Sequence, residues 1–122
     1  MQHSPGFLKL VDDVRSRVRE VSIDDALARQ AQGAHLVDVR EDGEWAAGHA
    51  AGATHLGKGV IERDIEARIP DRDAEVVLYC GGGYRSALAA DALQRMGYVN
   101  VVSVAGGWRA WQEAGAPTEP GG

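Results

Sequence analysis

A chain of 122 residues with a net charge of −5 is long enough to bury the core of one domain and too short for two. The excess of 18 acidic over 13 basic side chains argues against non-specific binding to nucleic acid or to anionic membranes, so we expect neither as a partner. The single cysteine excludes an internal disulfide. Without a basic leader or an apolar run near roughly 20 residues, the chain is predicted to be cytoplasmic.

The first predicted element is an amphipathic helix over residues 6–18. Its apolar side chains recur at steps of three and four residues, at Phe7, Val11, Val14 and Val18. We predict that this stripe packs on the domain, and a docking surface for a partner or a second copy is the alternative. Residues 1–18 are therefore predicted to be an N-terminal amphipathic helical extension.

Short apolar strands alternate with helices over most of the remaining chain. The predicted strands are Arg19–Val21, Leu36–Val39, Ala53–Leu56, Val76–Tyr79 and Val99–Val104. The predicted helices run from Ile23 to about Gln32, from Ile61 to Ile69, from Ser86 to Met96, and onward from Gly107. This alternation is typical of an α/β domain with a mostly parallel sheet, here residues 19–114. Residues 115–122, rich in Gly and Pro, are predicted to be a disordered tail.

The only cysteine lies between a predicted buried strand and a predicted helix, where parallel α/β sheets bind their ligands. The loop that follows Cys80 consists of Gly81, Gly82, Gly83, Tyr84, Arg85 and Ser86. A glycine-rich turn into a helix presents backbone N–H groups and partial positive charge, which favour a thiolate. We therefore predict that Cys80 is a catalytic nucleophile and that this loop binds the substrate. The alternative is that Cys80 is a small buried apolar side chain.

Three sequence blocks resemble the rhodanese family of sulfurtransferases. The segment from Cys80 to Ser86 is similar to the family's C-x-x-G-x-R-S active-site pattern. Earlier in the chain, Asp38-Val39-Arg40 and Glu44-Trp45 are similar to the family's D-V-R block and the acidic-aromatic pair that follows it. A G-H-I-x-G-A block is similar to Gly48-His49-Ala50 and Gly52-Ala53, with alanine in place of isoleucine. The resemblance covers about residues 19–114 and identifies the chain as a single-domain rhodanese.

The resemblance implies a three-layer α/β/α fold with a five-stranded parallel sheet in the strand order 3-2-4-5-1. That order places Asp38 near Cys80, so Asp38 is predicted to pair with Arg85 across the base of the loop. Asp38 and Arg40 are predicted to support the site through a buried network, with a solvated pair as the alternative.

The remaining side chains of these blocks are predicted to have mainly structural roles. A cation at a helix N-terminus is unfavourable without a partner, so Arg85 is predicted to form a structural ion pair, with substrate contact or a solvated charge as the alternatives. Ser86 is predicted to cap the helix or donate to the thiolate, and His49 to have no catalytic role. Tyr84, Trp45 and Trp108 are pocket or core aromatics.

The resemblance also implies the chemistry, a double displacement that needs no metal or organic cofactor. Cys80 would take sulfane sulfur from thiosulfate or a persulfide, hold it as a persulfide, and pass it to an acceptor. The expected partners are thus a small sulfur donor and an acceptor such as cyanide, glutathione or a protein thiol. The four histidines show no spacing typical of metal ligands.

Loop length separates this activity from phosphate hydrolysis. Four residues lie between Cys80 and Arg85, whereas cysteine-dependent phosphatases of a related fold have one more, which makes room for a phosphate. Phosphatase and arsenate reductase activities are the enzymatic alternatives. A non-catalytic sulfur carrier or interaction module, recruited through the N-terminal helix, is the alternative from a different class.

Overall fold

The computed structural model describes residues 3–121 as alternating helices and short strands. The helices are α1 (Pro5–Arg15), α2 (Ile23–Ala31), α3 (Asp42–Ala47), α4 (Ile61–Arg68), α5 (Tyr84–Arg95) and α6 (Gly107–Glu113). The strands are β1 (Arg19–Val21), β2 (His35–Asp38), β3 (His49–Ala50), β4 (Thr54–His55), β5 (Val76–Tyr79), β6 (Val101–Val104) and β7 (Thr118–Glu119). Within the described range, no helix has the length and apolarity needed to cross a bilayer.

Five parallel strands form the central sheet in the order β1-β6-β5-β2-β4. When these strands are numbered among themselves along the chain, the order is 1-5-4-2-3, which is the predicted order read from the opposite edge. Helices pack on both faces of the sheet. The predicted three-layer α/β/α fold is therefore confirmed, and β5 occupies the centre of the sheet with its carboxyl end at Cys80.

Strand β5 is buried on both faces because its side chains alternate between two apolar cores. Val76 and Leu78 lie in the core that also contains Cys80 and side chains of α4 and α5. Val77 and Tyr79 lie in the opposite core, with side chains of α2 and α6. Continuous burial is why this strand is an unbroken apolar run in the sequence.

Helix α1 packs against α5 and contributes to the first layer of helices. Val11 and Val14 are buried on its inner face, which confirms the prediction that the apolar stripe packs on the domain. The helix ends at Arg15, three residues before the predicted end, and Val18 enters the core from the connection that follows.

The C-terminal segment is ordered where the composition predicts disorder. Strand β7 pairs antiparallel with β3, with Ala50 opposite Thr118, and the Trp111 indole N–H donates to the Pro117 carbonyl at 2.7 Å. The predicted disorder is therefore wrong for residues 117–119. Composition misses this pairing because both strands are only two residues long. The parts of the predicted extension and tail at residues 1, 2 and 122 lie outside the described residues.

Candidate active site

Cys80 lies at the carboxyl end of the central strand, as predicted, with its side chain inside the following loop. The residue is 1% exposed. Its Sγ accepts a hydrogen bond from the Gly83 backbone N–H at 3.1 Å and lies 3.4 Å from the Ser86 hydroxyl. Ser86 Oγ in turn lies 2.7 Å from Ser103 Oγ on β6. Ser86 therefore lies within hydrogen-bond distance of the sulfur, whereas its predicted capping role is wrong because α5 begins at Tyr84 with Gly83 as its N-cap.

The start of α6 holds the backbone carbonyls of the loop. The Cys80 carbonyl accepts from the Trp108 N–H at 2.6 Å, and the Gly81 carbonyl accepts from the Arg109 N–H at 3.1 Å. The N–H groups of a further set of loop residues have no hydrogen-bond acceptor within residues 3–121, namely Gly81, Gly82, Tyr84, Arg85 and Ser86. The loop therefore presents several free donors, which is the property of an anion-binding nest.

A close approach to the backbone and a positive φ explain why glycine is needed at two positions around this loop. A Cβ atom on Gly107 would overlap the carbonyl oxygen of Cys80. Gly83 has φ of +98°, in the left-handed region that favours glycine. These positions allow the loop to fold tightly over the sulfur.

Arg85 forms the predicted structural ion pair, but its partner is Glu44. The bidentate contact joins Nη1 to Oε1 at 2.7 Å and Nη2 to Oε2 at 3.0 Å. The predicted Asp38–Arg85 pair is wrong, because Asp38 is bound to Arg40 instead. Helix α3, which the sequence analysis does not predict, brings Glu44 to the loop, and a capping contact between Glu44 and the Glu41 N–H fixes it there. Arg85 lowers the pKa of Glu44 to about 2.

This pKa shift predicts how the Glu44–Arg85 pair contributes to stability as pH changes. The folded-state pKa lies below the unfolded value of roughly 4.3, so the pair stabilises the fold above that unfolded value. Its contribution is lost as pH falls through about 2. We expect Glu44→Gln to lower the melting temperature by a constant amount above about pH 5 and by a shrinking amount below it.

Thermal unfolding of wild type and Glu44→Gln between pH 3 and 7 checks this expectation. Glu113→Gln is the matched control, because Glu113 pairs with Arg109 at 3.3 Å on an exposed helix surface. A difference between wild type and Glu44→Gln that stays the same over the whole pH range would show that the Glu44 charge is not involved.

Asp38 and Arg40 form a buried network beneath the site, as predicted. The Arg40 side chain is 3% exposed and that of Asp38 is 0% exposed, and Arg40 Nη2 donates to Asp38 Oδ2 at 2.8 Å. The Tyr79 hydroxyl donates to the same oxygen at 2.6 Å and accepts from the Ala50 N–H at 3.0 Å. Burial, together with the bond to Asp38, raises the pKa of Tyr79. This network joins β2 to β5 immediately before Cys80.

Aromatic and histidine side chains of these sequence blocks lie around this network, namely Trp45, His49, His55 and Trp108. Trp45 stacks on His49 and His55, with ring centroids 3.4 Å and 4.9 Å away. The Trp108 ring packs on the Arg40 guanidinium at 4.7 Å. The hydrogen-bond partners of Cys80 Sγ are the Ser86 hydroxyl and the Gly83 N–H, so neither partner is a histidine. The position of His49 thus agrees with a structural role.

A cleft beside the loop is lined in part by Lys58, which the sequence motifs did not single out. It has a volume of about 450 Å³, and its lining includes Val39, Leu56, Lys58 and Arg85 together with the acidic residues Glu41, Asp42 and Asp64. Val39 and Leu56 belong to the same core as Cys80, so the cleft lies on the cysteine side of the sheet. Lys58 has no carboxylate partner within the described part of the chain. Its position between Gly57 and Gly59 was the available sequence signal for a loop cation.

The five-stranded parallel sheet and the cysteine loop at the end of its central strand define an α/β domain with a single loop thiol. A family model described as the rhodanese-like domain matches residues 22–114. The chain belongs to the rhodanese-like domain family, as its sequence blocks predict.

Known proteins of similar sequence carry a sulfurtransferase name. The thiosulfate sulfurtransferase GlpE of Pseudomonas entomophila is 39% identical over 97 residues, covering 80% of this chain and 87% of that protein. The protein of the same name from Vibrio cholerae is 35% identical, covering 82% of this chain and 92% of that protein.

Two solved structures share the fold over nearly the whole chain. A Rhodopseudomonas palustris protein of unknown function, described as a possible tyrosine phosphatase, aligns with a TM-score of 0.85 and 31% identity over 98% of both chains. The polysulfide-sulfur transferase homodimer of Wolinella succinogenes aligns with a TM-score of 0.79 and 27% identity, covering 94% of this chain and 88% of that one. Coverage of 98% means that the first alignment extends over α1.

Proposed function

We propose that this protein is a sulfurtransferase that moves sulfane sulfur from thiosulfate or a persulfide to a thiophilic acceptor through a persulfide on Cys80. The observation that carries the proposal is the sulfur at the end of β5, inside a loop whose N–H groups lack other acceptors among residues 3–121. The thiosulfate sulfurtransferase name of the GlpE relatives supports the donor class.

The first half-reaction loads the cysteine. The Cys80 thiolate attacks the outer sulfur of thiosulfate and forms an S–S bond. The bond between the outer sulfur and the sulfonate sulfur breaks, and sulfite leaves with the electron pair. Cys80 then holds one added sulfur that bears the negative charge, so no external oxidant or reductant is consumed.

The second half-reaction unloads the persulfide. An acceptor such as cyanide or a thiolate attacks the terminal sulfur, and the bond to Sγ breaks with return of its electron pair to Cys80. The product is thiocyanate or a new persulfide. Because the described chain contains one free cysteine and no second thiol, the acceptor must come from outside the protein.

The loop supplies the electrostatic environment for the charged intermediate. Its free N–H groups would donate to the terminal sulfur of the persulfide in the way that an oxyanion hole donates to oxygen. The Arg85–Glu44 ion pair keeps the guanidinium beside the loop. Asp38 and Arg40 act indirectly, by fixing the end of β2 against β5.

Two features weigh against phosphatase activity. Only four residues separate Cys80 from Arg85, which leaves less room than a phosphate loop requires. The Arg85 guanidinium is also held bidentately by Glu44, so it is not available to pair with phosphate oxygens.

Lys58 is proposed to bind the anionic end of the donor in the cleft. Lys58→Met is expected to raise KM for thiosulfate by about 5-fold at low salt with little change in kcat, as for the loss of one partly screened ion contact of about 1 kcal/mol. Lys9→Met, which removes an exposed charge on α1, is the control. An unchanged KM in Lys58→Met would place donor binding elsewhere.

Steady-state kinetics test the proposed activity. Thiocyanate formation from thiosulfate and cyanide is expected to show parallel double-reciprocal lines, the pattern of a double displacement through a covalent intermediate. Hydrolysis of an aryl phosphate is measured alongside and is expected to be absent. Turnover of the phosphate without turnover of thiosulfate or glutathione persulfide would overturn the proposal.

A further inference from the structure

The ring of Tyr84, in the loop that follows Cys80, is held by side chains from the N-terminal segment. The His3 ring meets it edge-on with centroids 4.5 Å apart, and the Phe7 ring does so at 6.1 Å. The Arg15 guanidinium lies over its face, 4.9 Å from the centroid. We call these three contacts the Tyr84 clamp. All three clamp residues precede the span matched by the family model.

The loop depends on a few anchors because three of its residues have no side chain. Glycines 81–83 lose more conformational freedom on ordering than any other residues would. The α6 N–H groups hold the carbonyls at the start of the loop. At its end, Arg85 is held by Glu44 and Tyr84 is held by the clamp. Adjacent residues are therefore held by two different segments, Arg85 by α3 and Tyr84 by the N-terminal segment.

We propose that α1 is a positioning element for the Cys80 loop and that it acts through the Tyr84 clamp. The clamp holds the loop closed over the sulfur and keeps its N–H groups aligned. The catalytic part of this proposal rests on the proposed sulfurtransferase function, whereas the conformational part does not.

The burial of Cys80 connects the clamp to a measurable property. With the residue 1% exposed, a reagent reaches the sulfur only when the loop opens locally. Weakening an anchor raises the population of open states. Weakening an anchor also disorders the N–H groups of the loop, which contribute to catalysis only if they are in position before the reaction. A weakened clamp therefore increases reagent access and decreases kcat.

The clamp can be separated from the packing of α1. Val11 and Val14 are the buried residues of that helix, and Phe7 lies one turn before them and is only half-buried. Phe7→Ala therefore removes a ring contact with Tyr84 while it leaves the buried Val11 and Val14 side chains unchanged. Leu10→Ala is the matched control, because Leu10 is on the same helix and 52% exposed.

The experiment compares wild type, Phe7→Ala, Phe7→Tyr and Leu10→Ala in the full-length protein. Alkylation of Cys80 by iodoacetamide, followed by intact mass, is expected to be about 3- to 10-fold faster in Phe7→Ala. In the same variant kcat for sulfur transfer is expected to fall by about the same factor, with KM for thiosulfate changed less than about 2-fold. Phe7→Tyr keeps the ring and is expected to restore both values, and Leu10→Ala to change neither.

A second variant guards against a purely structural effect. Tyr84→Leu is expected to alkylate as fast as Phe7→Ala, and the double variant to be no faster than either single one, because both remove the same contact. Equal alkylation rates in Phe7→Ala and Leu10→Ala would overturn the clamp. Faster alkylation of Phe7→Ala, with no measurable sulfur transfer by the wild type or any variant, would support the clamp and overturn the proposed function. The two failures are therefore distinguishable.

Discussion

Replacing Cys80 with serine is expected to abolish sulfur transfer, with kcat/KM at least about 1,000-fold below that of the wild type. A serine hydroxyl at this position stays protonated at neutral pH, and no hydrogen-bonding base lies beside it to remove the proton. An alkoxide would also form no stable bond to a transferred sulfur. The nucleophile is therefore lost while the surrounding loop remains.

The loss of activity must occur in a folded protein to be informative. The serine hydroxyl can still accept from the Gly83 N–H and meet Ser86, so the melting temperature is expected to stay within a few degrees of the wild type. Ser103→Ala is the control, since it removes a buried hydroxyl behind Ser86 and spares the thiol. Substantial turnover in Cys80→Ser would remove this thiol from the mechanism.

Asp38→Asn is expected to produce the largest loss of stability, about 3–5 kcal/mol of unfolding free energy. The Arg40 guanidinium and the Tyr79 hydroxyl both donate to the Asp38 carboxylate in a fully buried position. An asparagine leaves the Arg40 charge without a counter-ion and turns an N–H donor toward other donors. The free energy lost is thus mostly the cost of an unpaired buried charge.

Urea denaturation measures this effect, with Asp13→Asn as the control. Asp13 pairs with Arg17 at 3.3 Å on the surface, where its side chain is 67% exposed, so its replacement is expected to cost less than about 1 kcal/mol. A cost for Asp38→Asn as small as that of Asp13→Asn would show that the buried network contributes nothing net to stability.

The central strand and the cysteine loop are predictable because their signals are local. Val76–Tyr79 is an unbroken apolar run in the sequence, and β5 has those same bounds. Ser22 marks the start of α2, where its hydroxyl accepts from the Asp25 N–H at 3.1 Å. The order of the strands is not local, and it was predicted only through the resemblance of three sequence blocks to the rhodanese family.

The ion-pair partner of Arg85 could not be predicted from the sequence in the same way. Helix α3 has no buried residue, so it shows no apolar periodicity, and the position of Glu44 depends on that helix. Without α3, the strand order alone leaves Asp38 as the nearest carboxylate. The strand order could not show that Asp38 pairs instead with Arg40, only two residues further along the chain.

The N-terminal helix shows a similar limit. The spacing of Val11 and Val14 predicts which face is buried, and that prediction is confirmed. It does not predict which part of the domain the helix contacts, because periodicity along one helix contains no information about distant residues. The contact of Phe7 with Tyr84 required the three-dimensional structure.

The most direct test of the account is the intact mass of the protein after incubation with thiosulfate or glutathione persulfide. We expect a gain of about 32 Da, one sulfur atom, that cyanide removes and that Cys80→Ser prevents. If neither donor produces an adduct on the folded wild-type protein, the persulfide mechanism is contradicted, and a non-catalytic interaction module becomes the better description of this domain.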